Sequence, residues 1–128
     1  MKILVGYDGS GPSKEALNLA KKHAQAFGAF VYVVTSLESD TGVDQIRHCE
    51  EELKYTRQFL SESGIEVETH LLVRGFSPGE DIVTFALDNE VDEIVVGLKK
   101  VSAVEKMIFG SNARYIILHA HCPVVSVK

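Results

Sequence analysis

Short runs of aliphatic and β-branched residues alternate along this chain with longer segments whose apolar residues recur at helical spacing, and that alternation limits the folds open to it. Ile3 to Val5 is the first run, and the turn formers Gly6-Tyr7-Asp8-Gly9-Ser10-Gly11-Pro12 end it and deliver Asp8 to a loop. Ser10 or Ser13 can cap the helix that follows, with Pro12 tolerated in its first turn. Ala16, Ala20, Ala24 and Phe27 then line one face, and Gly28 supplies a stop. Phe30 to Leu37 reads as a strand covered on both faces. After the polar loop Glu38 to Gly42, Ile46, Cys49, Leu53, Thr56 and Leu60 form a buried stripe up to Gly64, with Glu50, Glu51, Glu52, Lys54 and Arg57 as a solvated face. Ile65, Val67, Thr69, Leu71 and Val73 alternate with Glu66, Glu68 and His70, a pattern suited to a strand at a sheet edge. Ser77-Pro78-Gly79-Glu80 fits a capping box ahead of a third helix with Ile82, Phe85 and Ala86 inward. Glu93 to Gly97 is a fourth strand. Ala113, Ile116, Ile117 and Ala120 give a fourth helix its inner face, and Cys122-Pro123 ends it before the strand Val124 to Val127.

The order β-α-β-α-β-α-β-α-β predicts an α/β fold, a parallel sheet with helices on both faces, because parallel strands need long crossover connections. At 128 residues the chain is read as one domain, 1–128, long enough to bury a core without disulfides. A net charge of -5 and the lack of a basic run with interleaved aromatics argue against nucleic acid as a partner. The strand-like N-terminus is too short and wrongly flanked for a signal peptide or membrane span, so a cytoplasmic location and no membrane association are expected. Cys49 and Cys122 lie far apart, without metal-ligand spacing, and read as buried or half-buried thiols.

In a fold of this kind ligands sit at the carboxyl ends of the strands near a topological switch point, where Asp8, the end of the second strand and the stretch Gly97 to Ser111 should meet. Gly97-Leu98-Lys99-Lys100 follows the apolar run Ile94-Val95-Val96, and Gly110-Ser111 precedes the fourth helix. A strand, a glycine-bearing loop and a helix start make an anion site, since the first N–H groups of a helix lack partners at the positive end of its dipole. The same residues also fit a plain connection in which Gly110 permits a turn and Ser111 or Asn112 caps the helix.

Four segments together resemble the universal stress protein family: Ile3-Leu4-Val5-Gly6-Tyr7-Asp8-Gly9-Ser10, Val91-Asp92-Glu93-Ile94-Val95-Val96-Gly97, the pair Gly110-Ser111, and Cys122-Pro123-Val124-Val125. The resemblance spans the whole chain and implies a five-stranded Rossmann-like fold. The family contains members that bind ATP and members that do not. The binders share a Gly, two residues, a second Gly, nine residues, then Gly and Ser or Thr. This chain matches at Gly97, Gly110 and Ser111 and has Lys100 at the second glycine. By resemblance, Asp8 would accept hydrogen bonds from ribose hydroxyls and Gly97 would lie against the ribose. Gly110, Ser111 and Asn112 would offer donors to the phosphates, and backbone near Ser36 would read the adenine edge. Lys100 can obstruct the groove if the lost glycine was needed for close approach. Alternatively, Lys99 and Lys100 bring two ammonium groups toward a triphosphate.

The resemblance therefore implies ATP as ligand, with magnesium or manganese carried only through the nucleotide, and a homodimer paired through the C-terminal strand Val124 to Val127. A bare terminal strand at a sheet edge favours such pairing on physical grounds as well. Other chemistry is poorly served. Asp8 has no partner carboxylate by spacing, so a general-base or metal role is disfavoured, and His119-Ala120-His121-Cys122 at a helix end does not converge as a tetrahedral site would require. The functional reading is a stress-response module that binds an adenine nucleotide, with at most slow ATP hydrolysis. The alternative is a stress protein acting through protein contacts, and a small hydrolase at the same rim comes third.

Overall fold

The computed structural model describes residues 1–99 and 110–128. Lys100 and the linker from Val101 to Phe109 lie outside the described residues. Nine elements follow one another as β1 (Lys2–Gly6), α1 (Gly11–Phe27), β2 (Phe30–Ser36), α2 (Val43–Ser61), β3 (Val67–Leu72), α3 (Pro78–Asp88), β4 (Glu93–Gly97), α4 (Ser111–His119) and β5 (Val124–Val127). The five strands form one sheet in the order β3-β2-β1-β4-β5, every neighbouring pair parallel. The α/β architecture expected from the alternation is the one observed.

Alternation within the central strands divides the core in two. Ile3, Val5, Val31, Val33 and Val95 point to one face and pack with Ala16, Leu17, Ala20 and Ala24 of α1 and with Leu53 and Leu60 of α2. Leu4, Tyr32, Val34, Ile94 and Val96 point to the other and pack with Ile82, Phe85 and Ala86 of α3 and Ile116 of α4. Strands covered on both faces have no room for polar alternation, which is why β1, β2 and β4 read as continuous apolar runs. Each fully buried aliphatic side chain contributes about 1.5–3 kcal/mol of transfer free energy.

Local signals account for most element ends. Ser10 caps α1, its Oγ accepting from Ser13 N–H at 3.3 Å, and Gly28 closes the helix in the left-handed region at φ 64°. Ser77 caps α3 by accepting from Glu80 N–H at 3.4 Å, and its hydroxyl donates to Glu80 Oε1 at 3.0 Å.

Three expectations need correction. Phe27 does not join the inner face of α1; it is 61% exposed and meets His23 edge-on. The chain reverses through Gly28, Ala29 N–H bonds back to Ala24 O at 3.0 Å, and Ala29 takes the buried place instead. Ile117 is 43% exposed, because the nine-residue α4 offers the sheet a narrow stripe that Ile116 occupies, and its neighbour lies about 100° round the helix. Glu52 is not simply solvated, since it leans in to accept from the buried Tyr7 hydroxyl at 3.0 Å.

Candidate functional site

The strand order reverses between β1 and β4, the first leading through α1 to β2 on one side and the second leading through α4 to β5 on the other. Beyond the carboxyl ends of these strands lies a crevice of about 190 Å³. Tyr7 and Asp8 after β1, Ser36 at the end of β2, Gly97 and Lys99 at and after β4, and Asn112 in the first turn of α4 all line it. Five of the residues singled out in the sequence thus share one cavity. Gly110 and Ser111 are exposed at the entrance to α4 beside it, and Lys100 is not among the described residues.

Each wall has a local cause. Asp8 lies two residues beyond the end of β1, where Gly9, at φ 79°, turns the chain toward α1. Its Oδ1 accepts from Ser10 N–H at 2.9 Å, and its Oδ2 lies 3.6 Å from the Lys99 ammonium. Partial burial works to raise the pKa of this carboxyl, but the Ser10 amide and hydroxyl, the Ser13 hydroxyl and the Lys99 charge outweigh it and hold the group below its ordinary value. Tyr7, directly before it, is shifted upward by burial and by the Glu52 carboxylate that its hydroxyl contacts. Gly97 is required by packing: a Cβ there would collide with Pro12 in the first turn of α1, lying 2.7 Å from Pro12 Cβ and nearer still to its carbonyl group. The glycine therefore lets α1 and β4 close against each other at the floor of the crevice.

The entrance to α4 differs from the other helix starts. Gly110 is its N-cap in extended conformation, with φ -61° and ψ 158°; among the described residues no side chain caps the helix, and no acidic residue lies in the first turn. By contrast, α1 and α3 have serine caps, while α2 and α3 carry acids in their first turns. Neither Ser111 nor Asn112 caps α4, so the plain-connection reading loses its capping residue. Asn112 instead turns its Oδ1 to Gly79 N–H at 3.0 Å, tying α4 to the start of α3.

Behind Ser36, out of the crevice itself, is a group that the sequence did not single out. Asp81, in the first turn of α3, is 0% exposed. Its Oδ1 accepts from Arg74 Nε at 2.9 Å and Nη2 at 2.8 Å, and its Oδ2 accepts from the Ser36 hydroxyl. The available signal was its position four residues before Phe85, on the buried stripe. Also at this rim, the Thr35 hydroxyl donates to Tyr7 O at 2.8 Å and Leu37 N–H to Leu72 O at 2.8 Å.

Among the described residues no three His, Cys, Asp or Glu side chains gather as a metal site, and no helix is long and apolar enough to cross a membrane. His119 lies against Tyr115 with ring centroids 4.3 Å apart.

Comparison with known proteins places this geometry in a family. A family model described as the universal stress protein family matches residues 1–128. A universal stress protein of Thermus aquaticus is 32% identical over 134 residues, covering 98% of this chain and 97% of its own. The solved structure of a universal stress protein from Archaeoglobus fulgidus is 39% identical, with a TM-score of 0.88, covering 100% of this chain and 93% of that one. A second Archaeoglobus fulgidus structure, determined in complex with dAMP, is 37% identical with a TM-score of 0.83, covering 100% and 98%. With the family matched from end to end and the strand order, rim glycine and bare helix entrance on view, this chain belongs to the universal stress protein family.

Proposed function

We propose that this protein binds an adenine nucleotide in the crevice between β1 and β4. One observation carries the reading: the first turn of a helix that has no side-chain cap among the described residues, and a carboxylate whose pKa is held below its ordinary value, line one cavity at the switch point of a parallel sheet. A relative 37% identical over the full chain was solved with dAMP, which lends the ligand class further support.

The parts divide the ligand between them. Asp8 accepts from ribose hydroxyls, for which an anionic oxygen is a strong partner. The amides of Ser111 and Asn112, the Gly110 backbone and the Ser111 hydroxyl receive the phosphates, and Lys99 adds a cation. The adenine lies toward β2, where ladder alternation turns the peptide groups of Ser36 to the β1 side while Leu37 N–H is spent on β3. ATP suits the site because its outer phosphates extend from the crevice toward Lys99, which lines it. A magnesium or manganese ion would ride on those phosphates and water. The protein works as a nucleotide-responsive module with no turnover beyond slow hydrolysis.

We also propose that it acts as a homodimer paired through β5, which is an edge strand. Isothermal titration with AMP, ADP and ATP, with and without magnesium, tests the ligand. Saturable binding to the wild type that Gly110→Val abolishes is the expected result; no heat from any nucleotide overturns it. A second reading, a stress protein working through protein contacts alone, is favoured by the Lys99 ammonium standing 3.6 Å from Asp8, where the ribose would go. Titration without heat would select it.

A further inference from the structure

Asp81 has both oxygens committed, one to the Arg74 guanidinium and the other to the Ser36 hydroxyl, and has no exposed surface. A carboxylate paired with a guanidinium can only accept hydrogen bonds, so the single proton of Ser36 Oγ is spent on Asp81. What Ser36 can still offer the crevice it lines is a pair of lone pairs. A free serine hydroxyl rotates to suit either a donor or an acceptor; this one is fixed as an acceptor.

We infer that Ser36, held in this state by Asp81 and Arg74, selects purines carrying an amino group at C6 over those carrying a carbonyl there. The inference rests on the adenine-nucleotide reading above and on the base lying toward β2. Adenine presents an N–H donor at C6, which meets the Ser36 lone pair. Hypoxanthine and guanine present an oxygen, which faces another acceptor in a partly dehydrated crevice and leaves both groups unpaired. Sites built around a committed hydrogen-bonding group reject the mismatched analogue more strongly than apolar pockets do. Ser36 is the specificity residue. Asp81 is a positioning residue acting through it, and Arg74 holds Asp81 in place.

AMP and IMP separate the possibilities, because they differ in the C6 substituent and in the N1 proton that accompanies it. The wild type should bind AMP about tenfold or more tightly than IMP, the scale of one matched against one mismatched hydrogen bond. In Ser36→Ala, which leaves the Asp81–Arg74 pair intact, the ratio should fall to within about threefold, while Ser36→Thr, retaining the hydroxyl, should keep it. Asp81→Asn should narrow the ratio further, since its amide can donate to Ser36 Oγ and release the hydroxyl proton toward a C6 oxygen. Circular dichroism of each variant checks folding, and Ser36→Ala decides if Asp81→Asn does not fold. A wild type that binds both nucleotides equally, or a ratio unchanged in Ser36→Ala, overturns this inference while leaving the adenine-nucleotide reading in place. A wild type that binds neither overturns both.

Discussion

Asp8 stays charged further into acid than an ordinary carboxylate, because Ser10, Ser13 and Lys99 outweigh the effect of its partial burial. Its pKa is lower in the folded chain than in the unfolded one, so ionised Asp8 stabilises the fold above the ordinary carboxylate range, and that contribution disappears as pH falls through the lowered value. Urea unfolding of wild type and Asp8→Asn from about pH 7 to about pH 2 should show a difference that favours the wild type at neutral pH and vanishes at the acid end. A larger effect belongs to Arg74, whose loss strands the fully buried Asp81 carboxylate. Arg74→Ala should cost about 2–4 kcal/mol by urea unfolding, and a change under about 0.5 kcal/mol would mean that α3 relaxes to let water reach the carboxylate. Burial raises both thiols, with Glu52 adding to the effect at Cys49 and Asp92 at Cys122, so iodoacetamide should alkylate either more slowly than glutathione at the same pH. The place of Asp8 at the rim was legible in the sequence, because a short apolar run ended by a cluster of turn formers marks the carboxyl end of a strand. Asp81 was not, because its partner Ser36 lies 45 residues away and no local pattern joins a helix's first turn to the end of a distant strand.

Among the elements, the two motif glycines do different work. Gly97 is a packing glycine, pressed against Pro12, and Gly97→Ala should lower stability by about 1–3 kcal/mol whether or not nucleotide is present. A Cβ on Gly110 would meet nothing within 4 Å among the described residues, and its φ of -61° suits any residue. Thermal unfolding of Gly110→Ala without ligand should match the wild type, so any loss of nucleotide affinity reports on the phosphate end of the crevice alone. Strands were the most legible elements: β4 and β5 have the bounds that their apolar runs suggest, β4 because a strand covered by helices on both faces tolerates little else, and β5 because Cys122-Pro123 marks its start. Helix faces were less so. Spacing identified the stripes of α1 and α4 but not where each stripe leaves the sheet, which exposes Phe27 and Ile117. A glycine at a strand-to-helix junction likewise does not announce whether it serves a ligand or a neighbouring helix; that depends on how closely α1 approaches β4.

For the whole molecule, strand order decides how copies can meet. Leu98 N–H donates to Val127 O and Ile94 N–H to Pro123 O, so the odd-numbered residues of β5 face β4 and the peptide groups of Val124 and Ser126 face the open side. If two copies pair there, Ser126→Pro removes an outward N–H without touching the ladder to β4. Light scattering at micromolar concentration should give a dimer mass for the wild type and a monomer mass for Ser126→Pro at unchanged helical content. A wild-type monomer overturns the pairing.

The sheet's opposite borders are unlike. Along β3, Glu68 is exposed with His70 3.3 Å away, and Glu66 is exposed just before the strand, whereas β5 is Val-Val-Ser-Val. Charge on a border strand discourages further strands from docking, and a bare one invites them. A subunit with one guarded flank and one open flank can accept a single neighbour, and a twofold embrace consumes the open flank of both. If two copies pair in this way, growth stops at two, and a sheet-forming protein is kept from running on into fibres as its concentration rises.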